Sequence, residues 1–316
     1  NIAEEEIFID GEEQYLKLTK SDELTLGYYL SNHLDFAHID FGIRYDQIDR
    51  KSEAVNYDDN LFSLSFAASK DLSDNLGLSL GLSSVEKAPS AMELYVDGLH
   101  MVTQRYETGD ADLTAEKANN IDLAINTAVS GFDIDLSLFK NSIADFIYLN
   151  DTAEHYELGG KDYTKSQYLQ EDATFEGYEL LISRSFSLAN GSLVASAGRD
   201  YVDAQFDQGG YIPRTVPARN LVTLSYNSNN DLNWIVSLKD IQDQTKVAAG
   251  EEATDGYQLL DFKLSKGFKV SNTEVLNVSV FAKNLLDKVA RNHSSFVKEE
   301  VPLPGKNIGI KAKLSF

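Results

Sequence analysis

The side chains best suited to chemistry in this chain are imidazoles that share a polar stretch with carboxylates. His100 lies in one such stretch with Glu107, Asp110 and Asp112, and His155 lies in another with Asp151, Glu154 and Glu157. Neutral imidazole beside carboxylate suits zinc and similar first-row ions, whereas carboxylates alone suit calcium. Further acid sits at Glu251, Glu252, Asp255, Glu299 and Glu300. The plainer reading of these groups is a solvated acidic surface, and for any one residue it outweighs a ligand role. His100 and His155 are the better candidates, with Glu107, Asp110 and Asp112 as partners of the first. His293 is read as structural. With 5 His in all, the chain is no histidine-rich metal trap. No cofactor is expected; bound zinc or calcium ions are the only groups these side chains invite.

Composition removes other classes. The chain has 316 residues and no Cys, so disulfides and thiolate metal sites are excluded. No His-Glu-x-x-His, Gly-x-Ser-x-Gly or phosphate-loop pattern occurs, which argues against an enzyme. A net charge of −22 argues against nucleic acid as a partner. Mean hydropathy is slightly negative. No apolar run reaches the length of about 18 residues that a membrane helix needs. Strands that show every second residue to lipid give a much weaker hydropathy signal.

Such strands are what must position the polar stretches. Near the end, Leu276, Val278, Val280 and Ala282 alternate with Asn277, Ser279, Phe281 and Lys283, and Ile308, Ile310, Ala312 and Leu314 alternate with Gly309, Lys311 and Lys313. Period two gives a strand one dry face and one wet face. The same pattern recurs in Leu24–Leu26–Tyr28–Leu30, in Ile39–Phe41–Ile43–Tyr45, in Leu76–Leu78–Leu80–Leu82 and in Phe132–Ile134–Leu136–Leu138. The wet partners of the four leucines are Gly77, Ser79, Gly81 and Ser83, too small to fill a soluble core. The pattern predicts about 13 strands, with residues 1–20 as an acidic loop, long polar loops over 47–59, 84–118 and 150–173, and no helix. Short and long connections alternate, as in antiparallel transmembrane β-barrels, which put short turns in the periplasm and long loops outside. Single-chain bacterial barrels have even strand numbers. Thirteen therefore implies either a strand missed within 13–20 or the C-terminal part of a larger barrel.

Three stretches carry a family resemblance. Pro89, Ser90, Glu93, Leu94 and Tyr95 precede Leu113, Glu116 and Lys117; Glu176 to Arg184 carries Glu-Gly-Tyr-Glu-Leu; and Asn284 to Lys288 precedes the last loop and a terminal Phe316. Together they resemble the C-terminal half of a TonB-dependent outer-membrane receptor. The resemblance implies an all-β transmembrane barrel of 22 strands with a plugged lumen, of which this chain would supply strands 10–22, residues 1–316 forming one barrel part without the plug domain. It implies localisation in the outer membrane of a Gram-negative bacterium, contact with lipid and lipopolysaccharide, energy from the TonB complex through an N-terminal region outside this chain, and a scarce metal ion or metal chelate as substrate. Gly98–His100 and the Arg291–Phe296 run resemble receptors grouped with zinc and other metal uptake. A siderophore or haem receptor, with Tyr95, Tyr106 and Tyr156 as contacts, is the alternative within the family; a passive porin or adhesin barrel is the alternative outside it.

Overall fold

The computed structural model describes residues 1–10, 14–53 and 55–316. In chain order its elements are β1 (Ile2–Asp10), β2 (Gln14–His33), β3 (His38–Lys51), β4 (Asn56–Ser73), β5 (Leu76–Lys87), α1 (Ala91–Tyr95), β6 (Asp97–His100), β7 (Arg105–Thr108), β8 (Glu116–Val129), β9 (Phe132–Leu158), β10 (Lys161–Leu188), β11 (Gly191–Phe206), β12 (Arg219–Ser228), β13 (Leu232–Ile241), β14 (Tyr257–Lys269), β15 (Val275–Lys283) and β16 (Asn307–Ser315). Along the sheet each strand pairs antiparallel with the next, from β1 to β5, then β8 to β16; β6 and β7 lie off this path, with β7 attached to β10. β1 and β16 stand at opposite ends of the order.

Four expectations need correction. The acidic stretch at the start is not a loop: Ile2–Asp10 pairs with the first half of β2, from Ile2 opposite Leu24 to Asp10 opposite Gln14. Its Glu4, Glu5 and Glu6 hid the strand, because both faces there carry charge and the alternation is lost. Glu12 and Glu13 lie outside the described residues. The meander therefore has 14 strands rather than 13. The polar stretches 47–59 and 150–173 are mostly strand as well, since β3 runs to Lys51 and β9 to Leu158. Polar residues on both faces mark strand that has left the lipid, and β9, with 27 residues, spans about 90 Å against a hydrocarbon core of about 30 Å. Finally, one short helix, α1, is present.

The register makes one apolar face continuous. Leu30, Phe41, Phe66, Leu82 and Ile121 stand opposite one another across five strands, and Leu80, Leu123, Leu138, Tyr178 and Tyr201 do so across the next. At the far end the row is Leu193, Tyr226, Trp234, Leu264, Val280 and Ile310. Leu80 is 38% exposed and Ile310 72%. A soluble core would bury them; a lipid-facing band leaves them bare. Asp133, Asp135, Lys311 and Lys313 fall on the other face, as expected from the alternation.

Small residues on the inner face let strands and side chains approach closely. Where a Cβ would sit on Gly177, the Tyr201 carbonyl oxygen and the Phe139 ring already stand. Gly177→Ala should therefore lower unfolding stability by about 1–3 kcal/mol. Denaturant titration in detergent micelles would read this, and an unchanged midpoint would contradict the packing.

Candidate functional site

The segment between β5 and β8 folds onto the inner face as a small ordered insert. Ser90 caps α1: its hydroxyl accepts the Glu93 N–H at 3.2 Å and the Glu93 carboxylate accepts the Ser90 N–H at 2.6 Å. This reciprocal capping box is the physical content of the Pro-Ser-x-x-Glu segment. Ala91 and Val96 then pack on Tyr15 and Leu16 of β2, and Leu94 packs on Leu113 and Ile147. The Gly109 N–H donates to the Val96 carbonyl at 2.7 Å, and a Cβ on Gly109 would meet the Leu94 and Tyr95 backbone at 2.7–2.8 Å. Glycine is required there. Beyond it, the β6–β7 hairpin lies with β7 parallel to β10, Glu107 opposite Ser166.

This placement buries Glu107, which is 3% exposed, at the centre of the insert. One carboxylate oxygen accepts from the Thr103 hydroxyl at 3.0 Å and lies 3.0 Å from His100 Nδ1; the other accepts from the Tyr15 hydroxyl. Tyr15 and His100 also have their ring centres 5.3 Å apart. Burial and the Glu107 carboxylate push the Tyr15 phenol far up, and burial with the charges of Glu107 and Glu93 pushes Tyr168 up to about 12. Both phenols therefore stay protonated, and that of Tyr15 donates to Glu107. Because a carboxylate only accepts, Nδ1 of His100 is the nitrogen that carries a proton toward Glu107, and in the neutral imidazole Nε2 is the one with the lone pair. The His100 side chain is part exposed, so an imidazole open to solvent is held beside a buried carboxylate.

The other expected ligands sit elsewhere. Asp110 accepts the Asp112 N–H at 2.9 Å and closes the turn beside α1, its own N–H going to the Glu93 carbonyl. His155 is exposed on β9 opposite Thr164, which pairs with Arg105, which pairs with His100. Three strand spacings separate the backbones at the two histidines, about 14 Å. Among the described residues no group of three or more His, Asp or Glu side chains is assembled for a metal ion.

Sequence reasoning missed a second cluster. Arg105 grips Asp151 through Nε at 2.9 Å and Nη2 at 2.7 Å, and donates from Nη1 to the Phe296 carbonyl at 3.1 Å. The Phe296 ring has the Arg105 guanidinium 4.6 Å and the Arg214 guanidinium 4.2 Å from its centre. The loop between β15 and β16 is thus clamped to the β9–β10 hairpin and to the β11–β12 loop. Burial pushes the Asp151 carboxyl up, but hydrogen bonds from Arg105 and Ser166 and the charges of Arg105 and Arg214 outweigh it and hold it low. The same loop buries His293, which is 1% exposed. Its Nδ1 lies 2.8 Å from the Thr254 hydroxyl and 3.3 Å from Lys298 Nζ; its Nε2 lies 3.2 Å from Glu251 without an aligned hydrogen bond. Asn284 anchors the start of the loop, its amide donating to the Lys288 and Pro304 carbonyls and accepting the Lys288 N–H. The Asn-Leu-Leu-Asp-Lys run is therefore a loop clasp. Its signal was legible only as a motif.

A barrel sheet with a helix-capped insert on its inner face and clamped outer loops is the build of a membrane receptor. Residues 13–285 match the family described as TonB dependent receptor-like, beta-barrel, and the chain belongs to that family. The family is one of outer-membrane transport receptors, not enzymes. Among solved structures, the copper transporter OprC superposes with a TM-score of 0.78 at 18% identity, covering 96% of this chain and 48% of that one. The FrpB iron transporter from Neisseria meningitidis gives 0.69 at 16%, covering 95% and 45%. Heme/hemopexin utilization protein C of Haemophilus influenzae (strain 86-028NP) is 27% identical over a 180-residue match that covers 49% of this chain and 25% of that protein. The chain spans about half the length of these solved structures and a quarter of the curated relative.

Proposed function

We propose that the protein carrying this chain is an outer-membrane receptor that imports a scarce metal ion, zinc in the first instance, with energy supplied by TonB. In this reading the chain forms the C-terminal part of the barrel, and the plug and the TonB contact belong to the rest of the protein. The observation that carries it is the His100–Glu107 pair. Glu107 orients the imidazole as second-shell carboxylates orient metal-bound histidines, leaving His100 Nε2 to meet the ion. Glu107 thus serves as the orienting base more than as a ligand, while Asp110, Asp112 and His155 draw the cation toward the vestibule.

Zinc titration of the full-length receptor tests this. His100→Ala with His155→Ala should weaken zinc binding by at least about tenfold, and wild-type binding should weaken on acidification because protonated imidazole cannot ligate. Unchanged affinity in the double variant would remove these residues from the account and leave the family assignment standing. The second reading is a haem or siderophore substrate. It is favoured by the haem-utilisation relative and by the Tyr106–Tyr156 ring pair, 4.4 Å apart, near the hairpin tip. Haem binding that survives in the double variant and falls on loss of both tyrosines would select it.

A further inference from the structure

At the opposite end of the sheet, the four-residue link 34–37 joins β2 to β3, and His33 and His38 stand directly opposite each other across it. Leu30 and Ile39 belong to the apolar face, so by alternation both imidazoles fall on the inner face. This end carries the short turns and is the periplasmic end in barrels of this kind. The ring centres are 5.9 Å apart. Two imidazoles bound to one ion, each with a metal–nitrogen distance of about 2.0–2.1 Å, have ring centres roughly 5–6 Å apart. The pair is already spaced to share an ion.

Its surroundings suit that role. Asp40 lies 3.3 Å from His38 Nε2, and the Tyr29 hydroxyl donates to the same Asp40 oxygen at 2.5 Å. The Ser31 hydroxyl lies 3.2 Å from the same His38 nitrogen. With Nε2 turned toward Asp40 and Ser31, Nδ1 is the nitrogen of His38 left to ligate, and the carboxylate stands where a second-shell partner would. Both rings line a trough of about 650 Å³ that also presents Asp71, Asp133 and Asp135 against the single cation Lys70, so its balance of charge favours a bound cation.

We propose that His33 and His38 form a two-imidazole clip for a divalent transition-metal ion at the inner mouth of the lumen, where an ion released from the vestibule makes its last contact with the barrel wall. The clip takes the bare ion rather than an intact organic chelate, with water completing the coordination. It extends the metal-import reading above and stands 62 positions or more along the chain (100 − 38) from every candidate metal ligand in the vestibule.

Histidine modification by diethylpyrocarbonate, mapped by peptide mass spectrometry on the purified full-length receptor, tests it first on the unaltered protein. Zinc ion should slow modification of His33 and His38 together, severalfold, where calcium ion does not. In His38→Gln, zinc protection of His33 should be lost. Equal modification with and without zinc, or protection of His33 that persists in His38→Gln, would overturn the clip. Either result is independent of whether the intact receptor imports zinc, which uptake assays on His100→Ala report.

Discussion

An arginine in place of Leu80 is expected to cost the barrel about 2–4 kcal/mol. Leu80 stands between Ala68 on β4 and Leu123 on β8, in the middle of the apolar band, and is exposed rather than packed. The cost is therefore one of lipid solvation, not of cavity or clash. Asp133→Arg, on the wet face of β9, provides the control and should cost far less. Folding free energies measured in lipid vesicles would compare the two. Equal costs at both positions would deny that the leucine face meets lipid.

The second large effect is expected at Asp151. Its carboxylate joins Arg105, with 13% of the side chain exposed, and faces Arg214, with 17% exposed, at 3.9 Å. Asp151→Ala leaves the nearly buried Arg105 guanidinium without its carboxylate and Arg214 with Glu251 as its remaining counter-charge. Breaking a buried pair in this way costs about 3–5 kcal/mol, and the low end, about 3, applies because Asp151 keeps about a third of its side chain in water. Limited proteolysis of the loop between β15 and β16 would show the loss as faster cleavage. The pH dependence has a fixed sign. Because the native carboxyl is held below its usual value, its contribution is complete above the ordinary carboxylate range near about 3.9 and fades as pH falls below it. The clamp should hold at neutral pH and loosen only in acid, and Asp151→Asn should remove that dependence.

How much of this was legible in the sequence follows from what lipid imposes. Wherever a strand crosses the band, one face must be apolar, so Leu76–Leu82 and Ile308–Leu314 declared both their class and their facing. Outside the band no such rule acts. Residues 150–158 carry polar groups on both faces, yet continue β9 because β10 pairs with them on either side of a bulge at Thr152–Glu154. Ile2–Asp10 failed for the same reason. At the site, His100 and Glu107 were legible as types with suitable spacing, since a hairpin joins them locally. Tyr15 was not, because it reaches Glu107 from 92 positions away, and the Arg105–Phe296 contact spans 191. No local pattern encodes such pairings.

The parallel seating of β7 on β10 bears on the order in which the chain assembles. β9 and β10 are joined by the two-residue link 159–160, so their pairing can zip from that turn outward, as hairpins do within about 1–10 μs once nucleated. Arg105 and Thr164, by contrast, must close a chain segment that already contains β8 and β9. Closing so long a loop gains nothing until those strands are in register. Amides on the β7 side of β10 should thus gain hydrogen-exchange protection after those facing β9, and the surroundings of Glu107 should be among the last parts of the chain to take shape.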